Sequence, residues 1–377
     1  MSSRHEVIII GLGAMGSAAA FHLAKRGRRV LGLDRFHPPH DRGSSHGRSR
    51  IIRQAYFEHP SYVPLLGRAY ELWGQLGDET QKQLLRITGG LMIGAPQSSV
   101  VEGAARSARE HHLEHELLSA AEVRKRYPVL SPPDEMMAVW EPRAGVLSPE
   151  DCVAAHLELA QQHGAELRFG ATVLEWKATA DSVQVKTSSA SYEAERVVFA
   201  AGPWIASLLD GDRSSLESAQ FSVERQVMYW FDPIRSHDAF ERCPIHIWEY
   251  EPGRHFYGFP NLGSGVKVAR HHEGEATSAE TVRREVSAEE IATMRGLVDR
   301  FLPDAGGPLR SSTVCLYTNT PDGHFLIDFH PEHPRVLVAS PCSGHGFKFA
   351  SVVGEIVADL IEDCPLAFDL SLFRRRD

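Results

Sequence analysis

Cysteine is scarce in this chain of 377 residues, and its distribution excludes two kinds of stabilised fold. The five cysteines are odd in number, and no two of them form a C-x-x-C pair. Disulfide-stabilised secreted domains and zinc modules need cysteines paired at short spacings. The 20 histidines also lack the helical i, i+4 pattern with an acid that metalloenzymes use. We therefore expect neither a disulfide framework nor a metal site.

Long apolar runs and basic stripes are missing as well. No segment is long enough to span a bilayer, and the N-terminus has no signal-peptide hydrophobic region. The net charge is −9 with both signs scattered along the chain, which argues against a nucleic-acid surface. The length is sufficient for two domains with a large core. We expect a cytoplasmic protein that contacts neither membranes nor nucleic acids.

A strand, a glycine turn and a helix follow one another near the N-terminus. Residues 7–10 are apolar and mostly β-branched, as in a buried parallel strand, and Ala14–Lys25 shows helical spacing. Gly11, Gly13 and Gly16 have the spacing G-x-G-x-x-G. The first glycine of such a unit permits a tight turn, the second admits a pyrophosphate, and the third lets helix and strand pack closely. Free N–H groups at the helix start can then bind phosphate.

A second apolar run over residues 28–33 ends at Asp34. A carboxylate at this point accepts hydrogen bonds from an adenosine ribose and disfavours a 2′-phosphate. Strand, glycines, helix, strand and acid in this order predict a dinucleotide site, whereas a glycine motif alone is weak evidence. The unit by itself does not distinguish NAD from FAD.

Local patterns predict the elements of the remaining chain. Predicted helices cover residues 53–77, 149–163 and 349–361, and predicted strands cover 87–93, 166–169, 183–187, 196–201 and 336–339. Four aromatic-rich runs predict antiparallel strands over 226–231, 246–250, 256–259 and 266–270. The predicted fold is a mixed α/β structure, with a Rossmann-like nucleotide domain and a second domain built on an antiparallel sheet. We assign residues 1–85, 148–220 and 320–377 to the first domain, and 86–147 and 221–319 to the second, substrate-binding domain.

Several segments together resemble the monomeric sarcosine oxidase and N-methyltryptophan oxidase family of FAD-dependent amine oxidases. They are GLGAMG (11–16), GSSHGRSRIIRQAYFE (43–58), YGFP (257–260), GVKVARH (265–271), CLYTNTPDGHFLID (315–328) and SGHGFKFASVVGEI (343–356). They span nearly the whole chain and occur in the family's order. The resemblance implies that the nucleotide domain binds FAD. It also implies an oxidase that converts sarcosine, O₂ and water to glycine, formaldehyde and H₂O₂.

The resemblance implies a covalent cofactor. Cys315 matches the family's flavin-linked cysteine, although residue type alone favours a buried small side chain. Cys342, beside the second glycine-rich loop, is the rival attachment site. Gly344, Gly346 and Lys348 match residues at the cofactor.

Four cations match residues with roles in the family. Arg53 and Lys348 match residues that hold the substrate carboxylate, for which arginine offers a planar fork and lysine a mobile point charge. Arg50 matches an arginine beside the flavin ring, where a fixed positive charge stabilises the reduced anionic form. Lys267 matches the lysine associated with oxygen reactivity, but strand alternation allows it to face either the cofactor or solvent.

Three more residues match the lining of the family's substrate pocket. Tyr257 and His271 are expected at the reacting amine, and Tyr317 is expected to contact the substrate. Tyr56 and Glu58 either cover the site or pair with Arg53.

The exact substrate and two other protein classes remain open at this point. Sarcosine, N-methyl aromatic amino acids and cyclic imino acids such as pipecolate or proline-like compounds all offer a carboxylate and a secondary amine. An NAD-linked dehydrogenase satisfies the first motif, but it would need neither the GHGFK segment nor the cysteine segment. A non-catalytic flavoprotein would not need Arg53, Lys267 and Lys348. Kinship to the family suggests a monomer.

Overall fold

The computed structural model describes residues 5–209 and 221–375, so residues 1–4, 210–220 and 376–377 of the predicted domain ranges lie outside the described residues. The strands are β1 (His5–Ile10), β2 (Val30–Leu33), β3 (Arg50–Ile52), β4 (Leu85–Ile87), β5 (Gly90–Gly94), β6 (Glu116–Ser119), β7 (Met137–Glu141), β8 (Gly145–Leu147), β9 (Glu166–Arg168), β10 (Val173–Ala178), β11 (Val183–Thr187), β12 (Ser191–Phe199), β13 (Ser222–Phe231), β14 (Ile245–Glu251), β15 (Arg254–Gly258), β16 (Val266–His271), β17 (Glu275–Thr277), β18 (Leu309–Asn319), β19 (Leu326–Phe329) and β20 (Val336–Ser340). The helices are α1 (Ala14–Lys25), α2 (Val63–Thr80), α3 (Ser99–Glu110), α4 (Ala120–Arg126), α5 (Pro149–Gln162), α6 (Ile205–Leu209), α7 (His237–Glu241), α8 (Ala288–Phe301) and α9 (Ala350–Ile361).

The first large sheet has a parallel centre in which β20, β12, β1, β2 and β9 are neighbours in that order. Val7 and Ile9 of β1 pack into the core formed with α1, α2, α5 and α9. Ile8 and Ile10 pack into a second core on the opposite face. Burial on both faces explains why this strand is apolar at every position. The antiparallel strands β10, β11 and β19 complete the sheet.

The second large sheet is antiparallel except where β14 pairs with β5. Its order is β17-β13-β16-β15-β14-β5-β7-β6, with β18 pairing along β13. Strands β3, β8 and β4 form a separate small sheet. The predicted mixed α/β fold with a Rossmann-like sheet and a second, mainly antiparallel sheet is confirmed. The division into domains stays a prediction.

Two predicted elements are wrong. The helix expected over residues 53–77 begins only at Val63. The Glu141 carboxylate accepts from Gln54 N and Ala55 N, which holds the backbone directly after β3 outside a helix, and Pro60–Tyr62 form a separate 3-10 turn. The strand expected over 87–93 is two strands in different sheets. They separate at Gly89, whose φ is +68° and where a Cβ would lie 1.8 Å from the Trp140 ring.

Neither membrane-spanning helices nor metal clusters occur in the described ranges. Across residues 5–209 and 221–375, no helix combines the length and apolar character needed to cross a bilayer. Within the same part of the chain, no group of three His, Cys, Asp or Glu side chains is arranged to hold a metal ion.

Candidate active site

One continuous cavity is lined by residues of both large sheets. Gly11 and Asp34 line one end, which we call the nucleotide end, and Cys315, Tyr257 and Lys348 line the other, which we call the ring end. Further predicted residues also line the cavity: Gly13, Arg50, Arg53, His271, Tyr317, Gly344 and Gly346. Gly16 and Lys267 are not among the lining residues.

The nucleotide end is shaped by the absence of side chains. Gly11 has φ +92°, and a Cβ there would lie 2.6 Å from the Ala200 carbonyl oxygen. At Gly16, a Cβ would lie 1.8 Å from the Gly11 carbonyl oxygen, so α1 can pack on the turn only without a side chain. Gly16 therefore allows close packing behind the turn and does not itself face the cavity. Gly13 precedes the first residue of α1 and offers no side chain to cap the helix.

The Asp34 carboxylate stabilises the glycine turn by hydrogen bonding to its backbone. Its Oδ2 accepts a hydrogen bond from Leu12 N at 2.7 Å, and its Oδ1 accepts one from Phe36 N at 2.8 Å. A carboxylate has about four acceptor positions, so both bonds leave capacity for ribose hydroxyls. Trp204 Nε1 and Thr318 Oγ1 are buried without a hydrogen-bond partner among the described residues, and both side chains line the cavity. The glycine turn, the carboxylate and these unpartnered groups fit a dinucleotide.

The loop of residues 43–50 lines part of the cavity, and hydrogen bonds with α5 and with the second sheet hold it in place. The Glu150 carboxylate, in the first turn of α5, accepts from Gly47 N at 2.7 Å and from Arg48 N at 3.1 Å. From the second sheet, Lys267 Nζ donates to Gly47 O at 2.8 Å, to Ser49 O at 2.7 Å and to Ser49 Oγ at 3.1 Å. These bonds fix the loop that carries Arg50.

Lys267 is buried rather than solvent-facing. Its exposure is 2%, and its ammonium lies 4.6 Å from the Phe259 ring centre. Burial and then the nearby Arg50 charge hold the pKa of Lys267 well below its usual value. Tertiary packing thus excludes the solvent-facing orientation, and the ammonium reaches the loop of residues 43–50.

A guanidinium lies beside one of the two candidate thiols. Arg50 Nη2 donates to Ser44 O at 2.7 Å and lies 3.5 Å from Cys315 Sγ. At Cys342, which also lines the cavity, burial raises the pKa of the thiol to about 11. Because the thiolate is the reactive form, this shift disfavours reaction at Cys342.

Arg53 is buried between aromatic rings and paired with an acid. Its guanidinium carbon lies 4.3 Å from the Tyr56 ring centre and 4.1 Å from that of Phe57. Its Nη2 donates to the Glu58 carboxylate at 2.6 and 2.7 Å, which is the pairing expected as one alternative. Burial opposes ionisation of Glu58, but the Arg53 charge prevails and lowers the pKa of that carboxyl. Arg53 Nε is without a partner among the described residues.

Lys348 lies at the start of the segment leading into α9. Its Nζ donates to His345 O at 2.6 Å and lies 3.5 Å from the Tyr56 hydroxyl. Burial and then the Arg53 charge lower the pKa of Lys348 to about 7. Arg53 and Lys348 therefore present two cationic groups to one part of the cavity.

Another part of the cavity wall is polar but uncharged. His271 Nδ1 lies 3.1 Å from the Tyr317 hydroxyl, and the Tyr257 and His271 rings are 6.3 Å apart. Burial holds the pKa of His271 well below its usual value, so the ring is neutral at physiological pH. This wall can form hydrogen bonds to an amine without repelling its charge.

Sequence reasoning assigned no role to two supporting residues. Glu141 is 1% exposed and accepts from Gln54 N at 2.7 Å and Ala55 N at 2.8 Å, which fixes the backbone next to Arg53. No local signal marks it, because its partners lie 86 and 87 positions away. His345, whose Nδ1 is 2.6 Å from the Tyr56 hydroxyl, lies within the GHGFK segment and was marked by that motif.

Comparisons with known proteins show the family of this chain. The family model described as "FAD dependent oxidoreductase" matches residues 6–360. The monomeric sarcosine oxidase of Streptomyces avermitilis is 46% identical, and the alignment covers 100% of this chain and 98% of that protein. A monomeric sarcosine oxidase of Bacillus sp. is 40% identical, with 99% and 97% covered. The N-methyl-L-tryptophan oxidase of Yersinia pestis is 34% identical, with 98% of each chain covered.

Solved structures share the fold at lower sequence identity. NikD, described as an unusual amino acid oxidase essential for nikkomycin biosynthesis, superposes with a TM-score of 0.86 at 24% identity, covering 100% of this chain and 98% of that one. Glycine oxidase from Geobacillus kaustophilus superposes with a TM-score of 0.82 at 22% identity, covering 98% of both chains. These likenesses show the fold.

Proposed function

The chain belongs to the family of FAD-dependent oxidoreductases, and on that premise we propose that it oxidises secondary amino acids with O₂, with sarcosine as its substrate. The observation that carries the proposal is the pair of cations at the ring end. Arg53 has an unpartnered Nε–H among the described residues, and Lys348 has two acceptors for three ammonium hydrogens. Both line the same cavity as Cys315. The remaining donors match an amino-acid carboxylate.

The relatives support sarcosine over the alternatives. The chain is 46% and 40% identical to two proteins named monomeric sarcosine oxidase and 34% identical to one named N-methyl-L-tryptophan oxidase. N-methyl-L-tryptophan is therefore the second candidate. A cyclic imino acid satisfies the same requirement for a carboxylate and a secondary amine.

The cofactor and the protein have separate tasks. FAD, when bound, accepts the equivalent of a hydride from the substrate and passes the electrons to O₂. Gly11, Gly13 and Asp34 would hold its dinucleotide part, and Gly344 and Gly346 would lie beside it at the second loop.

The ring-end residues orient the substrate. Arg53 and Lys348 would hold the carboxylate, so that the amine lies towards Tyr257, His271 and Tyr317. Neutral His271 can accept a hydrogen bond from the amine, and it does not add a positive charge to that wall. Fixing the substrate in this way lowers the entropic part of the barrier. Arg50, together with Lys267 in its protonated form, would contribute positive potential near the ring, where reduction of O₂ develops negative charge.

We extend the proposal to a thioether between Cys315 and FAD. Cys315 Sγ lies in the same cavity, 3.5 Å from Arg50 Nη2, and the raised pKa of Cys342 argues against the rival site. Acid precipitation of the holoenzyme is expected to leave the flavin on the protein. Cys315→Ala should release it, and Cys342→Ala, the matched control, should retain it. Release by the Cys342 variant alone would move the linkage to residue 342.

A peroxide-coupled screen in air tests the function. Sarcosine is expected to be oxidised fastest among sarcosine, N-methyl-L-tryptophan, L-pipecolate, D-amino acids and primary L-amino acids. Turnover of only D-amino or primary amino acids would contradict the proposal. Reduction of added NAD without peroxide would support a dehydrogenase instead.

We also propose that the protein acts as a cytoplasmic monomer with two domains, a discontinuous FAD-binding domain and a substrate domain, at the boundaries predicted from the sequence. Two of its relatives are named monomeric sarcosine oxidase, which supports this state. Light scattering should then give a mass near 41.8 kDa.

A further inference from the structure

A backbone carbonyl fixes the tautomer of His345. His345 Nε2 lies 3.0 Å from the Gly323 carbonyl oxygen. A carbonyl oxygen can only accept, so Nε2 carries the hydrogen. Burial lowers the pKa of His345 to about 4, which keeps the ring neutral at physiological pH. His345 Nδ1 is therefore an acceptor.

This tautomer fixes the direction of the next hydrogen bond. The Tyr56 hydroxyl lies 2.6 Å from His345 Nδ1. Burial raises the pKa of Tyr56 well above its usual value, so the hydroxyl keeps its hydrogen. Since Nδ1 has no hydrogen to give, Tyr56 must donate. The hydroxyl oxygen then offers only lone pairs to its other neighbour.

That neighbour is the Lys348 ammonium. Lys348 Nζ lies 3.5 Å from the Tyr56 oxygen and 2.6 Å from the His345 carbonyl oxygen. Residue 345 thus acts twice, through its ring on Tyr56 and through its backbone on Lys348. Two ammonium hydrogens are directed to these oxygens, and the third is left for the cavity.

The surrounding charges make these acceptors necessary. The titratable and charged groups facing Lys348 are Arg50, Arg53, Tyr56, Glu58, His271 and His345. The two arginines disfavour another positive charge, and Glu58 already binds Arg53. An ammonium in this buried position therefore depends on oxygen acceptors.

We infer that His345 and Tyr56 are positioning residues that hold Lys348 charged and directed at a ligand carboxylate. They do so through an ordered series of hydrogen bonds, Lys348 → Tyr56 → His345 → Gly323, in which each arrow runs from donor to acceptor and which we call the relay. This inference rests on the proposed function only in taking an amino-acid carboxylate as the ligand. It assigns a task to two buried polar groups that do not themselves react.

Butanoate tests the relay without turnover. It has the shape of sarcosine with a methylene group in place of the amine, so it offers the carboxylate but cannot be oxidised at nitrogen. The FAD-loaded full chain is titrated with butanoate between pH 5 and 9. The Kd is read from the flavin absorbance change and, independently, from the shift in unfolding temperature. The affinity of the wild type should fall as pH rises above about 7, where Lys348 loses its charge.

Tyr56→Phe is expected to move this inflection about one pH unit lower and to raise Kd about tenfold at pH 8, since it removes one acceptor of the charged form. Tyr62→Phe is the matched control. Tyr62 is buried with its ring centre 5.0 Å from that of Tyr56, and its hydroxyl lies 3.1 Å from His324 Nδ1. The control should leave the inflection unchanged.

Two substitutions at His345 separate its ring from its backbone. His345→Leu removes the acceptor for Tyr56 and should move the inflection in the same direction as Tyr56→Phe. In His345→Asn the amide oxygen can replace Nδ1, so the inflection should return towards that of the wild type. Sarcosine KM should follow the same order, with kcat changing less.

An unchanged inflection in Tyr56→Phe, or an equal shift in Tyr62→Phe, would overturn the relay even if sarcosine is oxidised. Its persistence in Lys348→Met would also overturn it, because another group would then be titrating. Binding of butanoate with the predicted shifts, but no oxidation of any secondary amino acid, would support the relay and refute the proposed function.

Discussion

The nucleotide end and the ring end of the cavity are built by opposite means. The nucleotide end is built around residues 10–34, with residues 200–204 beside them, and depends on missing side chains: Gly11 and Gly16 leave no room for a Cβ. The ring end comes from segments around residues 50–58, 257–271, 315–317 and 344–348, and depends on buried charges. An end that depends on missing side chains should lose its cofactor when volume is added. An end that depends on charge should lose activity when a charge is removed. Four variants test that difference.

The largest effect is expected from added volume at the nucleotide end. In Gly16→Ala the new methyl group would lie 1.8 Å from the Gly11 carbonyl oxygen, so α1 must move off β1. We expect protein without FAD and a free energy of unfolding lower by about 3 kcal/mol or more. The flavin-to-protein absorbance ratio and urea unfolding measure both.

Gly74→Ala is the matched control for this change. Gly74 lies within α2 and has no atom within 4 Å of its ideal Cβ. The variant should keep its FAD and gain up to about 1 kcal/mol, because alanine favours helix over glycine. Full FAD content in Gly16→Ala would refute the steric account.

Removal of charge at the ring end should have the next largest effect. Arg53→Leu deletes the guanidinium and leaves Glu58 without its ion-pair partner. We expect kcat/KM for sarcosine to fall about 10³-fold, or about 4 kcal/mol, with normal FAD content. Arg53→Lys should recover only part of the loss, since it lacks the planar fork. Loss of FAD from Arg53→Leu would show that the two ends are not independent.

Lys267 tests whether charge or hydrogen bonding matters at the ring end. Lys267→Met removes both the amino group, which is charged when protonated, and its bonds to the loop at Gly47 and Ser49. We expect stopped-flow reoxidation by O₂ to slow about 10²-fold and flavin reduction to change much less. In Lys267→Gln the amide can still donate to the loop. Recovery of the oxygen reaction in that variant would mean that loop position, and not charge, limits the rate.

The smallest effect is expected at Glu150, whose carboxylate holds the loop of residues 43–50. Glu150→Ala leaves Gly47 N and Arg48 N without their carboxylate acceptor. The free energy of unfolding should fall by about 1–2 kcal/mol, with a modest decrease in FAD content. Asp151→Ala, at the exposed neighbouring position, should change stability by less than about 0.5 kcal/mol. Equal effects of the two variants would show that the hydrogen bonds between Glu150 and the loop contribute nothing specific to stability.

Elements fixed by local sterics and burial could be predicted closely. The predicted helix Ala14–Lys25 coincides with α1, and the predicted strand over 183–187 coincides with β11. Between residues 53 and 77 the prediction failed in its first ten positions. The apolar spacing belongs to α2, but the backbone at residues 54 and 55 is held by Glu141 on a distant strand, and Pro60–Tyr62 form a separate 3-10 turn. A pattern within one segment contains no information about such a partner.

In the candidate site, too, local motifs predicted some features and contacts between distant segments decided the others. The residues expected at the cavity were marked by motifs, and most of them do line it. The pairing of Arg53 with Glu58 was one of two alternatives, and the direction of the Lys267 side chain was open. Each depended on which atoms of other segments came within hydrogen-bond distance.

The sequence by itself determined the dinucleotide unit and the family, because glycine spacing, apolar runs and contiguous motifs act over a few residues. Only the tertiary structure decided the charges of the ring end. Whether Lys267 is buried, whether Lys348 has acceptors and which nitrogen of His345 carries hydrogen all follow from contacts between distant segments. Desolvation and hydrogen bonding set the protonation of a side chain, and both exist only once the chain has folded.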